Sequence, residues 1–311
     1  MPLTTIGRGG GITVRAPAKI NLLLGVGPVR ADGFHPLDTV YQAISLYDDV
    51  SVTPAAAWSV GVEPIGEVDI SGVPLDDSNI VVRAGELLTA HHGINRYAAI
   101  GISKGIPVAG GMAGGSADAA ATLVALDRLW DLQTSDDDLL AIAAELGSDV
   151  PFALLGGTAH GTGRGELVEP VADAGTWWWV VVPNATGLST PAVYRAYDAQ
   201  PDGDGPGGGS GTAAVREALA AGDLEALAAA VHNDLAEAAL GLRADLRETE
   251  KDLRGAGVLA TLLSGSGPTY LGLVADQDDA HSIREALLDA GHAGVVVATG
   301  PVAGTHLVDY V

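Results

Sequence analysis

The sequence predicts an α+β protein of two domains, and three observations lead to that prediction. In the first half, strand-like and helix-like segments follow one another in the order strand, strand, helix, strand, loop, helix, helix. A glycine-rich stretch runs directly into an alanine-rich helical segment, residues 119–130. Beyond about residue 160 the pattern changes to strands interleaved with helices, which is typical of a separate α/β sandwich. We therefore expect an N-terminal domain over residues 1–165 and a C-terminal domain over residues 166–311.

The first half begins with strands. Apolar or alternating runs predict strands over residues 12–16, 20–26, 40–46, 50–53 and 97–104. Helical periodicity predicts helices over residues 79–91, 119–130 and 136–146. Ser78 or Asn79 is expected to cap the first of these helices, Ser135 is expected to cap the third, and Gly147 is expected to end it.

The second half begins with an apolar strand, residues 177–182, that ends at Pro183. Helices are predicted over residues 213–221, 223–240, 244–254 and 280–290. Two strands are expected to flank a glycine-rich turn at residues 265–268, and a further strand is expected over residues 294–299. Residues 201–211 contain only Gly, Pro, Asp and Ser, so they are expected to form a surface loop.

The composition excludes several classes of partner. A formal net charge of -23 repels nucleic acid and anionic lipid, so we expect no nucleic-acid and no membrane partner. The chain has no cysteine, which rules out disulfides, thiolate metal sites and cysteine nucleophiles. No apolar run approaches the ~20 residues of a membrane span, and the N-terminus lacks the apolar core of a signal peptide. We expect a cytoplasmic protein that binds a small molecule, and the sequence predicts no particular oligomeric state.

Residues 107–118 carry the strongest functional signal, because four glycines fall within residues 110–115 and a helix follows at once. Such a turn aims unpaired backbone N–H groups and the positive end of the helix dipole at one point, so the expected ligand is a phosphate. The spacing matches neither the P-loop nor G-x-G-x-x-G, which indicates a phosphate site of another kind. Ser116, near the helix start, is a candidate ligand for a phosphate oxygen or Mg²⁺. An ordinary flexible turn capped by serine is the alternative.

Lys19 and Asn21 interrupt an otherwise apolar segment and, two positions apart, lie on the same face of a strand. A buried lysine requires an acidic partner, and Asp149 is the candidate. Asp149 follows a helix end and precedes Val-Pro, in a turn that does not itself require an acid. The alternatives are an edge strand with both polar side chains in water, and a helix-capping role for Asp149.

Phe34 and His35 lie in a predicted loop, where the ring can stack on a base and the histidine can bond to the edge of that base. Alternatively, Phe34 packs on the core and His35 is solvated. Lys104 stands three residues before the glycine-rich stretch, in a chain with only two other lysines, Lys19 and Lys251. Where a chain prefers arginine, a retained lysine indicates a need for a compact charge, and chance in codon usage or composition is the alternative.

Together, these segments resemble the kinase superfamily of galactokinase, homoserine kinase, mevalonate kinase and phosphomevalonate kinase, the GHMP kinases. The three motifs of that superfamily are an N-terminal segment, a phosphate loop and a late glycine-rich turn. They correspond here to residues 17–22, 107–117 and 263–269, in the same order over nearly the whole chain. Residues 33–37 and 147–152, with Lys104, most resemble the members that phosphorylate a cytidyl diphosphate substrate in the non-mevalonate isoprenoid pathway.

The resemblance implies a phosphate loop in the N-terminal domain, a ferredoxin-like C-terminal α/β sandwich, and phosphoryl transfer from ATP, with Mg²⁺, to an alcohol. It implies that Asp149 is the general base and that Lys19 is its charge partner. The implied substrate-binding residues are Asn21, Phe34, His35, Lys104 and Thr190. The implied ATP-binding residues are Pro107, Val108, Ala109, Gly110, Gly111, Met112, Ala113, Gly114, Gly115, Ser116 and Ala117.

Several positions depart from the pattern of these kinases. Phe34 stands where tyrosine is common, Ala117-Asp118 where Ser-Asn is common, and Pro268 where alanine is common. None of these changes removes an implied catalytic group. Two alternatives stay open: a GHMP kinase for homoserine, a sugar or a mevalonate-like acceptor, and a non-catalytic nucleotide-binding protein. Residues 33–37 argue against the first, and the pair of Lys19 and Asp149 argues against the second.

Overall fold

A computed structural model describes residues 11–200 and 211–308. Its strands are β1 (Ile12–Val26), β2 (Leu37–Ala55), β3 (Ser59–Pro64), β4 (Tyr97–Lys104), β5 (Thr158–Thr162), β6 (Leu167–Pro170), β7 (Trp177–Val182), β8 (His232–Asn233), β9 (Ala260–Leu263), β10 (Tyr270–Val274), β11 (Val296–Gly300) and β12 (His306–Leu307). Its helices are α1 (Ile80–His92), α2 (Gly114–Trp130), α3 (Asp136–Leu146), α4 (Val150–Leu155), α5 (Thr190–Asp198), α6 (Gly211–Ala221), α7 (Leu224–Ala230), α8 (Ala236–Leu242), α9 (Leu246–Ala256) and α10 (Gln277–Asp289). Part of the predicted loop over residues 201–211, namely residues 201–210, lies outside the described ranges.

The described strands form two sheets, which confirms the predicted α+β class. The larger sheet has the order β12-β1-β2-β4-β3, with β5 and β6 attached beside β2, and β8 beside β1. Strands β6, β8 and β12 reach it from beyond residue 165. The smaller sheet is antiparallel with the order β11-β7-β10-β9, and α9 and α10 pack on it, as expected for a ferredoxin-like sandwich.

Strands β1 and β2 are longer than the sequence pattern predicted. The two predicted segments on either side of Pro17 join into one strand, because a bulge between Pro17 and Ala18 accommodates a residue that has no N–H to donate. A second irregularity lies between Asn21 and Leu23. The two bulges therefore flank the short segment that carries Lys19 and Asn21.

Several predicted elements are confirmed with their caps. The side chain of Asn79 accepts a hydrogen bond from Val81 N at the start of α1, and that of Ser135 accepts one from Asp138 N at the start of α3. Strands β4 and β7 have the predicted bounds, and β9 and β10 pair around the late glycine-rich turn. Strands β3, β5, β6 and β12 and helices α4 and α5 had no counterpart in the sequence prediction.

The predicted helix over residues 223–240 is wrong. The segment is divided into α7, β8 and α8, because Asn233 forms tertiary contacts that a helix would not allow. Its Nδ2 donates to the carbonyls of Leu263 and Gly265, and its Oδ1 accepts from Leu235 N. The neighbouring Asp234 accepts from Val26 N. These bonds hold β8 beside β1 and tie the late glycine-rich turn to the larger sheet.

One apolar core runs through both sheets. Buried residues of β1, β2 and α2 cluster with Trp177 and Trp179 of β7 and with Leu271 of β10. The indole N–H of Trp179 donates to Gln42 in β2, so a polar contact also joins the sheets. Among the helices of the described ranges, none has both the length and the apolarity needed to cross a membrane.

Candidate active site

A cleft of about 620 Å³ brings together six of the predicted site residues. These residues are Lys19, Asn21, Phe34, His35, Asp149 and Thr190. They come from β1, from the loop before β2, and from the N-terminal ends of α4 and α5. Gly111 and Ala113 of the glycine-rich loop also line this cleft.

Lys19 and Asp149 form the charged centre of the cleft. The Nζ of Lys19 lies 3.6 Å from Oδ2 of Asp149, and it donates a 2.8 Å hydrogen bond to Oδ1 of Asn21. Nδ2 of Asn21 in turn donates to Thr39, which donates to the carbonyl of Leu23. The Lys19 side chain is 8% exposed, so it reaches the cleft from a buried strand and is not an edge residue in water.

The position of Asp149 leaves its carboxylate available. It occupies the N-cap position of α4, but its side chain caps no backbone N–H. The side chain is 31% exposed at the cleft wall, which argues against the capping role. Tyr41 lies beneath the cleft, where burial and then the charge of Asp149 raise the pKa of the phenol well above its ordinary value. The phenol is therefore a neutral wall residue.

The outer part of the cleft is aromatic. The ring of Phe34 is half exposed, and the guanidinium of Arg164 lies 5.1 Å from its centroid. The ring of His35 is buried, and its centroid lies 5.1 Å from that of Tyr194. Nδ1 of His35 is 2.8 Å from the carbonyl of Gly27, which can only accept, so this nitrogen carries the proton. Nε2 therefore faces the cleft side, 3.3 Å from Asp198.

The late glycine-rich turn closes the cleft on the side of Thr190. Oγ1 of Thr190 lies 2.7 Å from Oγ of Ser266 in that turn. Gly265 has a φ of +55°, and a Cβ built there would lie 3.5 Å from Nζ of Lys19. The turn therefore packs directly on the charged centre. Glycine is favoured at this position because φ is positive and because the same Cβ would lie 3.1 Å from the carbonyl oxygen of Gly111.

The glycine-rich loop presents an uncapped helix. Helix α2 begins at Gly114, and Ala113 at its N-cap position has a φ of +58° and makes no side-chain cap. Ala109 also has a positive φ of 54°, a conformation that is unfavourable for alanine and is characteristic of functional loops. Gly115 is exposed, and a Cβ built on it would meet no atom within 4 Å. The first N–H groups of α2 thus face open space.

A second pocket of about 380 Å³ lies on the other side of this loop. It is lined by Pro107, Val108, Ala109, Gly110, Gly111, Ala113, Gly114 and Gly115, together with Lys104 and Asp118. Gly111 and Ala113 line both this pocket and the larger cleft, so the two spaces meet at the loop.

Two of the glycines are required by packing. A Cβ on Gly110 would lie 2.8 Å from Oγ1 of Thr269, and one on Gly111 would fall on the carbonyl oxygen of Ser264. Oγ of Ser264 also donates to the carbonyl of Gly111. The loop is therefore held against the late glycine-rich turn by contacts that leave no room for side chains.

Three residues of the predicted ATP set have no side chain directed to either pocket. Met112 and Ala117 are buried in the core, so only their backbone groups lie in the loop. The carbonyl of Met112 accepts the N–H of Lys19, which ties the loop to β1. Ser116 lies in the first turn of α2, is half-buried, and lines neither of the two pockets described above. Its role as a Mg²⁺ ligand stays a prediction.

The structure places Lys104 away from the other predicted substrate residues. Its Nζ is 2.5 Å from Oδ2 of Asp48 and 2.8 Å from Oδ2 of Asp118, and all three side chains are at most 5% exposed. Burial raises the pKa of Asp118 well above its ordinary value, the Asp48 charge adds to this, and Lys104 opposes it. Burial alone would lower the pKa of Lys104, but the two carboxylates outweigh it and raise the pKa. Lys104 is thus a buried cation under the glycine-rich loop.

Several residues of the site are not predicted from the sequence. Tyr41, Arg164, Tyr194 and Asp198 line the cleft, and Asp48 binds Lys104. The Gly-Arg-Gly context of Arg164 and the Tyr194/Asp198 spacing of one helical turn are the only local signals, and each is common in proteins. Only the contacts between distant segments identify these residues.

Comparisons with known proteins identify the family of the chain. A model of the GHMP kinases N terminal domain matches residues 79–157, which include the glycine-rich loop and Asp149, and a model of the GHMP kinases C terminal region matches residues 215–293. The chain is 61% identical over 297 residues to the 4-diphosphocytidyl-2-C-methyl-D-erythritol kinase of Nocardioides sp., covering 96% of this chain and 100% of that protein. It is 50% identical over 300 residues to the kinase of the same name from Rhodococcus jostii, covering 96% and 95%.

A solved structure gives the same result. The chain is similar to a crystal structure of 4-(cytidine 5'-diphospho)-2C-methyl-D-erythritol kinase with a TM-score of 0.75 and 34% sequence identity. The match covers 93% of this chain and 98% of the other. The similarity therefore extends over nearly the whole chain.

Proposed function

We propose a phosphoryl-transfer reaction for the cleft of this chain, which belongs to the GHMP kinases and, among them, to the 4-diphosphocytidyl-2-C-methyl-D-erythritol kinases. The enzyme transfers the γ-phosphoryl group of ATP to the 2-hydroxyl of 4-diphosphocytidyl-2-C-methyl-D-erythritol, in non-mevalonate isoprenoid biosynthesis. The observation that carries this proposal is the sharing of Gly111 and Ala113 by the two pockets. A nucleotide in one pocket and an acceptor in the other would meet at the loop, beside Asp149.

Asp149 takes the proton of the acceptor hydroxyl as the oxygen attacks the γ-phosphorus. The new O–P bond forms while the bond from the γ-phosphorus to the bridging oxygen breaks, and ADP leaves with that oxygen. The Lys19 ammonium, 3.6 Å from the carboxylate, holds Asp149 in place and supplies positive charge beside the phosphoryl group in flight. Asn21 orients Lys19 through the 2.8 Å hydrogen bond.

The glycine-rich loop supplies the ATP site. The uncapped N-terminus of α2 offers N–H groups and a positive dipole end to the phosphates, and the open space over Gly115 leaves room for them. Mg²⁺ usually binds through one or two protein oxygens together with phosphate oxygens and water. Ser116, in the first turn of α2 beside the glycine-rich loop, would supply such an oxygen. When bound, Mg²⁺ neutralises phosphate charge.

The outer cleft recognises the cytidyl group. The exposed ring of Phe34 would stack on cytosine, Tyr194 offers a second aromatic surface beside His35, and His35 bonds to the base edge. Thr190, held by Ser266, contacts the substrate from the opposite wall. Lys104 is buried between Asp48 and Asp118, which supports a role for it in positioning the loop and not in contacting the cytidyl group. We propose that the enzyme works in the cytoplasm without a nucleic-acid or membrane partner.

A coupled ADP-release assay with four acceptors tests the function. We expect turnover with the cytidyl erythritol substrate and none above background with homoserine, galactose or mevalonate. Preference for one of the latter would support the alternative of a GHMP kinase with another acceptor. ATP binding without turnover of any acceptor would support a non-catalytic nucleotide-binding protein. Either outcome would contradict the proposal.

A further inference from the structure

Three charged side chains are buried together under the glycine-rich loop and have no part in the mechanism above. Asp48, Lys104 and Asp118 come from β2, from the end of β4 and from α2. Burying charges is costly unless they are paired and hydrogen-bonded, so a cluster of this kind is retained for a specific purpose or geometry. The hydrogen bonds of Asp48 and Lys104 indicate which part of the chain the cluster holds in place.

Asp48 fixes the chain where it enters the loop. Its Oδ1 accepts the backbone N–H groups of Gly105 and Ile106, at 2.8 and 2.9 Å, while its Oδ2 binds Lys104. Both oxygens of this carboxylate are therefore occupied by the segment between β4 and the glycine-rich loop. Asp48 lines neither the cleft nor the second pocket, so it has no direct access to a ligand in either.

Lys104 extends this contact to the segment where the chain leaves the loop. Its Nζ donates to Asp118 in the second turn of α2, and a Cβ built on Gly114 would lie only 3.0 Å from that Nζ. The ammonium thus sits directly beneath the first residue of the helix whose N–H groups face the phosphate site. A compact ammonium suits this position between two carboxylates and the helix start, in a chain whose other cations are mostly arginines.

We propose that Lys104, anchored by Asp48, is a positioning residue for ATP: it ties the two ends of the glycine-rich loop together and so sets the width of the phosphate site. The proposal rests on the proposed function, since it assumes that this loop holds the nucleotide phosphates. The resemblance to known kinases implied that Lys104 binds the cytidyl substrate directly. In the present proposal, Lys104 instead positions the loop that binds ATP. Asp118, where asparagine is common in similar kinases, is the second anchor and requires only an oxygen that accepts from Lys104.

Three matched Asp-to-Asn variants test the proposal. Asp48→Asn keeps an oxygen for the two backbone N–H groups but places an amide N–H₂ or a neutral oxygen against Lys104, which loosens the tie. Asp118→Asn keeps an oxygen that can accept from Lys104 and leaves the Asp48 carboxylate in place, but it removes the second negative charge beside the ammonium. Asp127→Asn alters another buried carboxylate of α2, which accepts from Thr134 at the far end of the helix. KM for ATP, KM for the acceptor, kcat, and the calorimetric affinity for a non-hydrolysable ATP analogue are measured for each variant.

We expect Asp48→Asn to raise KM for ATP and to weaken analogue binding by about 10-fold, because small displacements of a positioned site have effects of this order. KM for the acceptor should stay within about twofold of the wild-type value, since the cleft residues are not moved. Asp127→Asn should keep the wild-type KM for ATP, even where it changes the melting temperature, and Asp118→Asn should raise KM for ATP less than Asp48→Asn does, because an oxygen still accepts from Lys104. A folded Asp48→Asn variant with unchanged analogue affinity, or with equal losses for both substrates, would overturn the proposal.

A second pair of variants covers the case in which Asp48→Asn does not fold. Lys104→Gln in the Asp118→Asn background leaves one buried carboxylate with its two backbone N–H bonds, and Asp118→Asn alone is its control. The double variant should show the same selective loss of ATP affinity, and unchanged affinity would again overturn the proposal. Gly115→Val distinguishes failure of this proposal from failure of the proposed function. If Gly115→Val also binds the ATP analogue with full affinity, the loop does not hold ATP and the proposed function fails. If only Gly115→Val loses affinity for the analogue, the loop holds ATP but Lys104 does not position it.

Discussion

Asp149 illustrates how one side chain acquires a role from a contact that its own segment does not predict. At the start of α4 it has the position of a helix cap but not the bond of one, and its carboxylate instead faces Lys19 of β1, a strand 130 residues earlier in the chain. A half-buried carboxylate that caps no helix, lines the cleft and lies next to a cation meets the requirements for a general base. Its assignment is therefore testable by removing the charge alone.

Asp149→Asn should lower kcat by about 10²- to 10⁴-fold, the usual contribution of a positioned general base, while KM for ATP changes little. Steady-state ADP release with the cytidyl substrate measures both constants. Asp245→Asn is a matched control, because Asp245 also occupies an N-cap position without capping, at the start of α9. Near-normal turnover of Asp149→Asn would remove this residue from the reaction.

His35→Ala should raise KM for the cytidyl substrate and leave KM for ATP unchanged, because the buried ring lines only the larger cleft. We expect an increase of roughly 10- to 100-fold, as for loss of a hydrogen bond from a desolvated site. His292→Ala, which removes a histidine paired with Asp252 away from both pockets, provides the control. A change confined to ATP would mean that the assignments of the two pockets are reversed.

Among single residues, the sequence predicts those that lie within short motifs. It does not predict residues whose role comes from contacts with distant segments of the chain. Lys19, Asn21 and His35 are recognisable from their neighbours in the chain. Asp48 is an ordinary acidic residue in a strand, and its importance follows only from the lysine that the fold brings to it. Asp198 was missed because its helix, α5, was not predicted at all.

Among the elements, the glycine-rich loop has the most direct consequence for function. Its glycines have different roles: Gly110 and Gly111 are required by protein packing, whereas Gly115 faces open space. The sequence pattern predicts only one role, phosphate binding, for the stretch as a whole. Spacing alone cannot separate these roles, because the late turn that packs on the loop lies more than a hundred residues away in the chain.

Gly115→Val should weaken ATP binding by at least about 10-fold without a large loss of stability, because the added side chain occupies the space for phosphate and contacts no protein atom. Calorimetry with a non-hydrolysable ATP analogue, together with a thermal melt, measures both effects. Gly255→Val in α9 is the control, since a Cβ there also meets nothing within 4 Å. Equal analogue affinity in both variants would argue against the loop as the phosphate site.

The error over residues 223–240 has a physical cause at the same scale. The segment has the alanine and leucine content of a helix, and α7 and α8 do form within it. Asn233 interrupts it because its side chain satisfies two carbonyls of the late turn and one backbone N–H, which outweighs local helix propensity. Periodicity reports the propensity but not these tertiary bonds.

The molecule as a whole is organised around the contact between its two halves. The core continues from the larger sheet into the smaller one, and the late turn packs on both the glycine-rich loop and the charged centre of the cleft. The predicted fold class is confirmed, because it depends on the order of elements. The continuity of the core was not predictable, because it depends on which faces of the two sheets meet.

Gly111→Ala should lower the free energy of unfolding by about 1–3 kcal/mol, because the new methyl group collides with the Ser264 carbonyl at a position where φ is already +77°. Chemical denaturation measures the loss. Gly66→Ala separates the two causes, since Gly66 has a similar φ of +66° but open space around it. If both variants lose the same stability, the contact between the halves contributes nothing beyond backbone strain.

The pairing of β12 with β1 has a consequence for the order of folding. Val14 and Arg15 of β1 pair with Leu307 and His306 of β12, about 290 residues later in the chain. Contacts between residues so distant in sequence carry a large loop-closure entropy and form slowly. We therefore expect this margin of the larger sheet to be completed after the pairing of β1 with β2, which are neighbours in the chain.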